Sequence, residues 1–284
     1  MNGLRPEDYL EPVCLFCKSE ENVPTPVDLR RCLTRLDEYL ARKDYAAAER
    51  HLDYWRREAA AGRDWRGQLS IENERMGLLR KMGKRDQAME AAQEAEELVS
   101  RAGLEGTVTA ATTWLNIGTV YQNFGDAPKA LPYYVRAREI YEKALAPEDG
   151  RLAGLYNNLA LVLTALGSFD EARSLYEKAL SILESQPNGA LEMAVTELNL
   201  ANLLEAERGL LEAEAEIETR LDRAKALLDR PELPRNGYYA FVCEKCAPTF
   251  SYYGRFADAQ ELEDAARNAR CKMQNAECKG QNAE

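Results

Sequence analysis

The chain has 284 residues, of which 45% are hydrophobic, and a formal net charge of −11. This much apolar material excludes a wholly disordered chain, and the acidic balance argues against phosphate backbones and anionic membrane surfaces as main partners. We therefore predict that the chain binds neither nucleic acid nor membrane.

Residues 1–28 are predicted to form an N-terminal capping segment. The opening stretch MNGLRPEDYLEP lacks a basic run followed by an apolar run, and seven cysteines without such a signal are typical of reduced thiols. We therefore expect a cytoplasmic protein. Cys14 and Cys17 have the C-x2-C spacing of zinc ligands, but no further ligand is nearby in sequence, so they are weak metal candidates. We predict no cofactor.

Alanine recurs along the rest of the chain at a nearly constant interval. It stands at Ala48, Ala88, Ala130, Ala172, Ala213 and Ala259, at spacings of 40, 42, 42, 41 and 46 residues. A period of this length indicates an array of supersecondary repeats. We predict an array over 29–273, with units at about 29–62, 69–102, 111–144, 153–186, 194–227 and 240–273, followed by a polar tail at 274–284.

The third unit shows why each repeat should be a pair of helices. Trp114, Ile117, Gly118 and Tyr121 are spaced i, i+3, i+4 and i+7, which is one stripe of an amphipathic helix. Gly125 is predicted to end that helix, and Asp126 to cap the next one. A second stripe follows with Ala130, Tyr134 and Ala137.

This pattern, W-x2-I-G-x2-Y followed by Gly, Ala, Tyr and Ala, resembles the tetratricopeptide-repeat consensus. The 42-residue period and the NNLALVL and GSFDEARSLYEKAL segments of unit four resemble the kinesin-light-chain type of repeat. The resemblance covers roughly 28–270, with Trp55 and Arg220 where alanine is expected. It implies an all-α fold, a right-handed superhelical α–α solenoid of about six helix pairs, and a protein-binding role.

A helical wheel separates two sides of each first helix. Unit positions 4, 7, 8 and 11 form the core stripe, and positions 2, 6, 9 and 13 point the opposite way, towards the expected concave side. Asn116, Asn158 and Asn199 occupy position 6 of three successive units. Their carboxamides can pair with the backbone of an extended peptide, as the resemblance implies. Alternatively, they bond neighbouring repeats and serve packing alone.

Other residues at these positions complete the predicted peptide-binding set. Thr119, Asn123 and Asn202 are polar, whereas Leu161, Val195, Phe241 and Tyr252 are apolar where water would otherwise be expected. Apolar side chains in such places are suited to anchoring a partner.

The remaining chemistry-bearing residues have simpler interpretations. Cys243 and Cys246 fall on core positions of unit six and are interpreted as small hydrophobic residues. His51, the only histidine, is interpreted as a surface or packing residue. No catalytic residue is predicted, and we do not expect an enzyme.

Three functional hypotheses follow from the sequence. The first is a protein-interaction module that binds an extended peptide or protein segment in its concave groove. The second is a self-associating scaffold or adaptor, with a homodimer as the expected assembly. The third is a peptide-sensing regulator without its own DNA-binding domain. The pattern identifies no particular partner, because repeat folds host many functions.

Overall fold

A computed structural model describes residues 25–187 and 189–281, with side chains up to residue 271. These residues form twelve α-helices and no strand: α1 (Leu29–Ala41), α2 (Tyr45–Ala61), α3 (Trp65–Lys81), α4 (Arg85–Arg101), α5 (Val108–Asn123), α6 (Ala127–Ala144), α7 (Gly150–Ala165), α8 (Phe169–Glu184), α9 (Gly189–Arg208), α10 (Leu210–Leu228), α11 (Gly237–Tyr252) and α12 (Phe256–Gln281). None of the helices in this described part has the length and apolar character needed to cross a membrane.

The described helices are grouped in two compact units, which are larger than the six sequence repeats: unit 1 contains α1 to α4 and unit 2 contains α5 to α12, with the boundary between residues 105 and 106. In unit 1, α1 packs against α2, α2 against α3, and α3 against α4. In unit 2, the pairs are α5 with α6, α7 with α8, α9 with α10, and α11 with α12. The second helix of a pair also contacts the next first helix, at α6–α7 and α8–α9. The predicted all-α fold of consecutive helix pairs is thereby confirmed.

Helix ends follow the predicted chemistry. Gly125 has φ +81°, which favours glycine, and the backbone N–H of Asp126 donates to the carbonyl of Tyr121 at 2.9 Å to close α5. The side chain of Asp126 then accepts from the backbone N–H of Lys129 at 3.3 Å and caps α6. Gly167, at the corresponding turn of the next pair, has φ +79°.

The repeating alanines lie in the core, where small residues let paired helices approach closely. Ala48, Ala88, Ala130, Ala172, Ala213 and Ala259 are all buried. Gly118 of α5 faces Tyr134 of α6, and a Cβ on this glycine would lie 2.9 Å from the tyrosine ring. The pair therefore interlocks without room for one more carbon atom.

The two departures from the repeat pattern have separate explanations. Arg220 replaces the expected alanine in α10 and donates to Glu197 of α9 at 2.8 Å. A charged pair therefore lies where the other repeats pack apolar groups. Trp55 of α2 is half-buried, and its ring meets that of His51 edge-on at 6.3 Å between centroids. His51 Nε2 lies 2.9 Å from the carbonyl of Cys32, consistent with a packing role.

Unit 1 buries one carboxylate. Glu72 of α3 is 0% exposed, and Arg75 donates to it at 2.6 Å. Arg56 of α2 lies 3.8 Å away, and it also donates to Glu94 of α4 at 3.1 Å. Burial raises the pKa of Glu72 to about 7, with a smaller contribution in the same direction from the charge of Glu94. This network joins three helices by charge.

Candidate functional site

The first helices of the pairs in unit 2 lie side by side, since α5 contacts α7, α7 contacts α9, and α9 contacts α11. Most residues at wheel positions 2, 6, 9 and 13 of these helices are exposed or half-buried and form what we call the first-helix face. Its members are Thr112, Asn116, Thr119, Asn123, Gly154, Asn158, Leu161, Ala165, Asn199, Asn202, Ala206, Phe241, Lys245, Pro248 and Tyr252.

Val195 was expected on this face and is not part of it. Its side chain is only 5% exposed and belongs to the core formed by α9 to α12. The reason is that α9 packs against α8, α10 and α11 at once, so its apolar surface extends around more of the helix than a single stripe. The prediction that Val195 lines a groove is therefore wrong.

The three position-6 asparagines differ in their surroundings, although all are half-buried. Asn199 donates from Nδ2 to Oδ1 of Asn157 at 3.0 Å. Asn157, which is buried, donates in turn to Oγ1 of Thr196 at 2.8 Å. Among the residues that the structure describes, Asn158 has no hydrogen-bonding partner for its side chain, which leaves its amide available to a ligand.

The other polar residues of the predicted set also differ. Thr119 donates to the carbonyl of Leu115 at 2.8 Å and receives the hydroxyl of Tyr134 at 3.1 Å, so it supports the α5–α6 pair. Asn123 is exposed at the end of α5. Asn202 is exposed and accepts from the hydroxyl of Tyr253 at 3.0 Å.

Two large aromatic side chains are exposed on α11. Phe241 is 47% exposed, and its ring stacks on that of Tyr238 with the centroids 6.4 Å apart. Tyr252, at the other end of the helix, is 66% exposed. Leu161 on α7 is half-buried. These three residues give the face apolar contact area of the type that partner proteins use.

Sequence reasoning missed a polar cluster next to Tyr252. The hydroxyls of Tyr252 and Tyr253 both donate to Glu205 of α9, at 2.6 and 2.8 Å. Burial raises the pKa of Tyr253 well above its usual range, and the hydrogen bond to the carboxylate of Glu205 acts in the same direction. The adjacent tyrosines of α11 were a visible signal, but the register that brings Glu205 beneath them depends on how α9 and α11 pack.

A small cavity of about 190 Å³ opens near the start of α7. It is lined by Gly150, Ala153, Gly154, Asn157, Leu183 and Glu192. Nothing lies within 4 Å of a Cβ built on Gly154, so the small side chains leave open space here. Burial raises the pKa of Glu192, an effect that the charge of Lys245 opposes.

Unit 1 carries a separate cleft of about 670 Å³ between α1 and α2. Its lining includes Arg30, Arg31 and Arg35 together with the aromatic residues Tyr54 and Trp55. The sequence pattern did not single out these residues, because charges on a helix surface are ordinarily solvated.

The cysteines of α11 lie in the core as predicted. Cys243 is 0% exposed and Cys246 is 1% exposed, and burial raises the pKa of the Cys246 thiol to about 12. Such thiols behave as small hydrophobic groups. Cys14 and Cys17 lie outside the described residues, as does most of the predicted capping segment 1–28. Within the described residues, no group of three or more His, Cys, Asp or Glu could hold a metal ion.

Comparison with known proteins identifies the repeats. The family model described as "Tetratricopeptide repeat" matches residues 67–143 and 109–185. The crystal structure of the apo form of RapI is similar, with 16% identity and a TM-score of 0.56, over 92% of this chain and 89% of that chain. The nearly identical TPR-like repeats of a putative kinesin light chain from Podosopora anserina share 18% identity, with a TM-score of 0.50, over 73% of this chain and 97% of that chain. No curated protein sequence matches.

Proposed function

Because this chain is a tetratricopeptide-repeat protein, we propose that it binds an extended segment of another protein on the first-helix face of unit 2. The binding needs no catalytic group and no cofactor. We place it in the cytoplasm, where the cysteines that the structure describes, all of them free, would stay reduced.

The observation that carries this proposal is the open, nearly neutral centre of the face around α7. Gly154 and Ala165 are exposed and small, Asn158 has an amide with no described partner, and Leu161 is half-buried between them. Small side chains admit a backbone, the amide can pair with its N–H and C=O, and the leucine provides apolar contact. The three requirements of extended-peptide recognition thus meet on one helix.

The length of the bound segment follows from repeat geometry. Helices that pack against each other lie about 8–10 Å apart, and an extended chain advances about 3.3 Å per residue, so a segment crossing from α5 to α9 has about six residues. Continuing to α11 adds about three residues by the same reasoning. We therefore propose a segment of six to nine residues, as an order of magnitude.

The proposal assigns different roles to the position-6 asparagines. Asn158 bonds the ligand directly. Asn199 spends one donor on Asn157, and its second donor and its carbonyl oxygen remain for the ligand. The alternative, that these amides only join neighbouring repeats, therefore explains one hydrogen bond of Asn199. It gives no role to the amide of Asn158.

The test is a pull-down from cell extract with matched variants. Wild type and Asn158→Ala serve as baits, and Glu214→Ala on the exposed surface of α10 is the control. We expect a partner that wild type and Glu214→Ala retain and that Asn158→Ala loses, with all three proteins equally folded by circular dichroism. Equal recovery by the three baits would reject the first-helix face as the binding surface.

A second candidate function, self-association, is favoured by another observation. Leu211 in the first turn of α10 is 89% exposed, and Phe256 in the first turn of α12 is 70% exposed. Both follow the turn between the two helices of their pair. Large apolar groups left in water at such places are suited to contact with a second copy of the chain. Light scattering tests this, since a homodimer that the double variant Leu211→Glu with Phe256→Glu converts to monomer would support it.

A further inference from the structure

We infer that the segment bound on the first-helix face carries a lysine or arginine, whose cationic group binds at Glu205, Tyr252 and Tyr253. This inference rests on the proposed function and specifies the chemistry of its ligand. We call these three residues, with Asn202, the cation site.

The hydrogen bonds of the site leave acceptors in excess. The hydroxyl of Tyr252 lies 2.6 Å from Oε1 of Glu205, and that of Tyr253 lies 2.8 Å from Oε2 and 3.0 Å from Oδ1 of Asn202. Two phenol protons thus face three acceptor oxygens, and each carboxylate oxygen can accept more than one hydrogen bond. The tyrosines fix the orientation of the carboxylate without neutralising its charge.

No cation within the described chain supplies the missing charge. Glu205 forms no ion pair with any residue that the structure describes. The nearest candidates in sequence are committed elsewhere, since Arg208 pairs with Glu216 at 2.8 Å and Arg255 pairs with Asp222 at 2.8 Å. The partly buried carboxylate of Glu205 is therefore left for a cation from outside the chain.

Aromatic rings and helix ends strengthen the same preference. The rings of Tyr252 and Tyr253 meet edge to face with centroids 5.0 Å apart, and that of Tyr252 is largely exposed. A cation over such a ring gains attraction from its π-electrons. Tyr252 is also the last residue of α11, and the C-terminal end of a helix dipole carries partial negative charge. Carboxylate, ring and helix end all favour a positive group.

The cation site lies within reach of the backbone-binding part of the face. Asn199, Asn202 and Glu205 follow one another at three-residue steps on α9, so the carboxylate lies about 9 Å along the helix from Asn199 at 1.5 Å per residue. Two or three residues of extended chain cover this distance at about 3.3 Å each. One segment can therefore contact the asparagines and place a basic side chain at Glu205.

The experiment uses pools of fluorescent nonapeptides in which one position at a time is fixed as Lys, Arg, Gln or Glu. Fluorescence anisotropy measures the affinity of each pool for the full chain. We expect wild type to bind a Lys- or Arg-fixed pool roughly tenfold more tightly than the matching Gln-fixed pool, the gain typical of a charged hydrogen bond. In Glu205→Gln this preference should fall towards unity, with the Gln-fixed pools bound as before. Tyr252→Ala should lower the preference too, and it should also weaken every pool because the ring contributes apolar contact area.

Control variants separate the site from the overall acidity of the chain. Glu214→Gln removes the same charge from α10 and should keep the preference, whereas Asn158→Ala should weaken all pools by a similar factor. The inference is overturned if wild type shows no preference for a cation, or if Glu205→Gln retains it. Loss of the preference in Glu205→Gln without any effect of Asn158→Ala would uphold the cation site and reject the proposed function. If Asn158→Ala weakens all pools but wild type shows no preference for a cation, the proposed function stands and the cation site is rejected.

Discussion

Asn199 donates a hydrogen bond to Asn157 across 42 residues of sequence, at 3.0 Å. Asn157 in turn donates a hydrogen bond to Thr196 at 2.8 Å, so a row of hydrogen-bonded amide and hydroxyl groups joins α7 to α9. The next residue, Asn158, is half-buried and takes no part in these hydrogen bonds. Two adjacent asparagines therefore divide the work, because one fixes neighbouring repeats and the other faces the surface on which we propose that a ligand binds.

Replacement of these two asparagines should separate stability from binding. Asn157→Ala removes the acceptor of Asn199 and the hydrogen bond that Thr196 accepts, so we expect it to lower the free energy of unfolding by roughly 1–3 kcal/mol. Asn158→Ala is expected to change it by no more than about 0.5 kcal/mol, as surface substitutions do. Urea unfolding followed by circular dichroism measures both. Equal loss in the two variants would contradict this division of roles.

Two glycines of first helices provide a matched pair for packing. Gly118→Ala forces a methyl group against the buried ring of Tyr134, and such overpacking costs roughly 1–3 kcal/mol. This exceeds the roughly 1 kcal/mol that alanine gains over glycine in a helix. In Gly154→Ala the added methyl group has no neighbour within 4 Å, so only the gain in helix propensity remains. We expect the first variant to lower the thermal unfolding midpoint and the second to raise it slightly, and a rise in both would contradict the interlocked packing of α5 and α6.

Removing both members of the charged pair between Arg220 of α10 and Glu197 of α9 should cost less stability than removing Arg220 alone. Arg220→Ala leaves Glu197, which is 6% exposed, with only Arg223 at 4.0 Å, and we expect a loss of roughly 2–4 kcal/mol. Arg220→Ala combined with Glu197→Leu restores an apolar contact of the kind found in other units, and should recover most of that loss. A double-mutant cycle in urea checks this, and a double variant no more stable than Arg220→Ala would refute it.

Glu72 should make the stability of unit 1 depend on pH. Its folded-state pKa, about 7, lies above its ordinary value of 4.5, so the folded state binds the proton more tightly. The corresponding stabilisation is fully present below pH 4.5 and is lost as the pH rises through about 7. The charges that act on the carboxyl are those of Arg56, Arg75 and Glu94, and Arg75 also pairs with Asp53 at 3.4 Å.

Thermal unfolding at pH 5.5 and pH 8 measures this effect. We expect the wild-type midpoint to fall between the two values by more than that of Glu72→Gln, whose side chain does not titrate. Identical pH dependence in both proteins would show that the carboxyl stays ionised throughout, held by Arg75.

The cysteines of α11 should be unreactive in the folded chain. Burial raises the pKa of both Cys243 and Cys246, whereas Cys271 is exposed. Brief treatment with iodoacetamide at pH 7.5, followed by peptide mass spectrometry, should modify Cys271 and leave the α11 pair largely unmodified. Treatment in urea should modify all three. Rapid modification of Cys246 without urea would mean that α11 opens readily.

The fold was predictable because the same sequence pattern recurs many times in one chain. Each recurrence of a buried alanine, such as Ala130 and Ala172, tests the same period, and the glycine turns after the first helices mark the helix ends independently. Local chemistry and long-range packing therefore give the same answer. The family model and the helix pairs confirm the tetratricopeptide-repeat prediction.

The site was less predictable, because a helical wheel describes one helix at a time. Most of the residues that it selected are exposed or half-buried, but it could not anticipate that neighbours on several sides of α9 would bury Val195. The Asn199–Asn157 bond and the Glu205 cluster likewise depend on the register between first helices. The sequence marked Arg220 as a departure from the repeat, but its pairing with Glu197 depends on how α9 and α10 pack.

The most direct test of the account is to cross-link the ligand from the face itself. An aromatic photo-reactive amino acid would replace Phe241 on α11, Ala206 on α9, or Glu214 on α10 as the control, all of which are exposed. Irradiation in cell extract should attach one and the same partner at Phe241 and Ala206 and not at Glu214, and Asn158→Ala should abolish the attachment. Cross-linking of that partner from Glu214 as efficiently as from Phe241, or attachment that Asn158→Ala leaves unchanged, would contradict binding on the first-helix face.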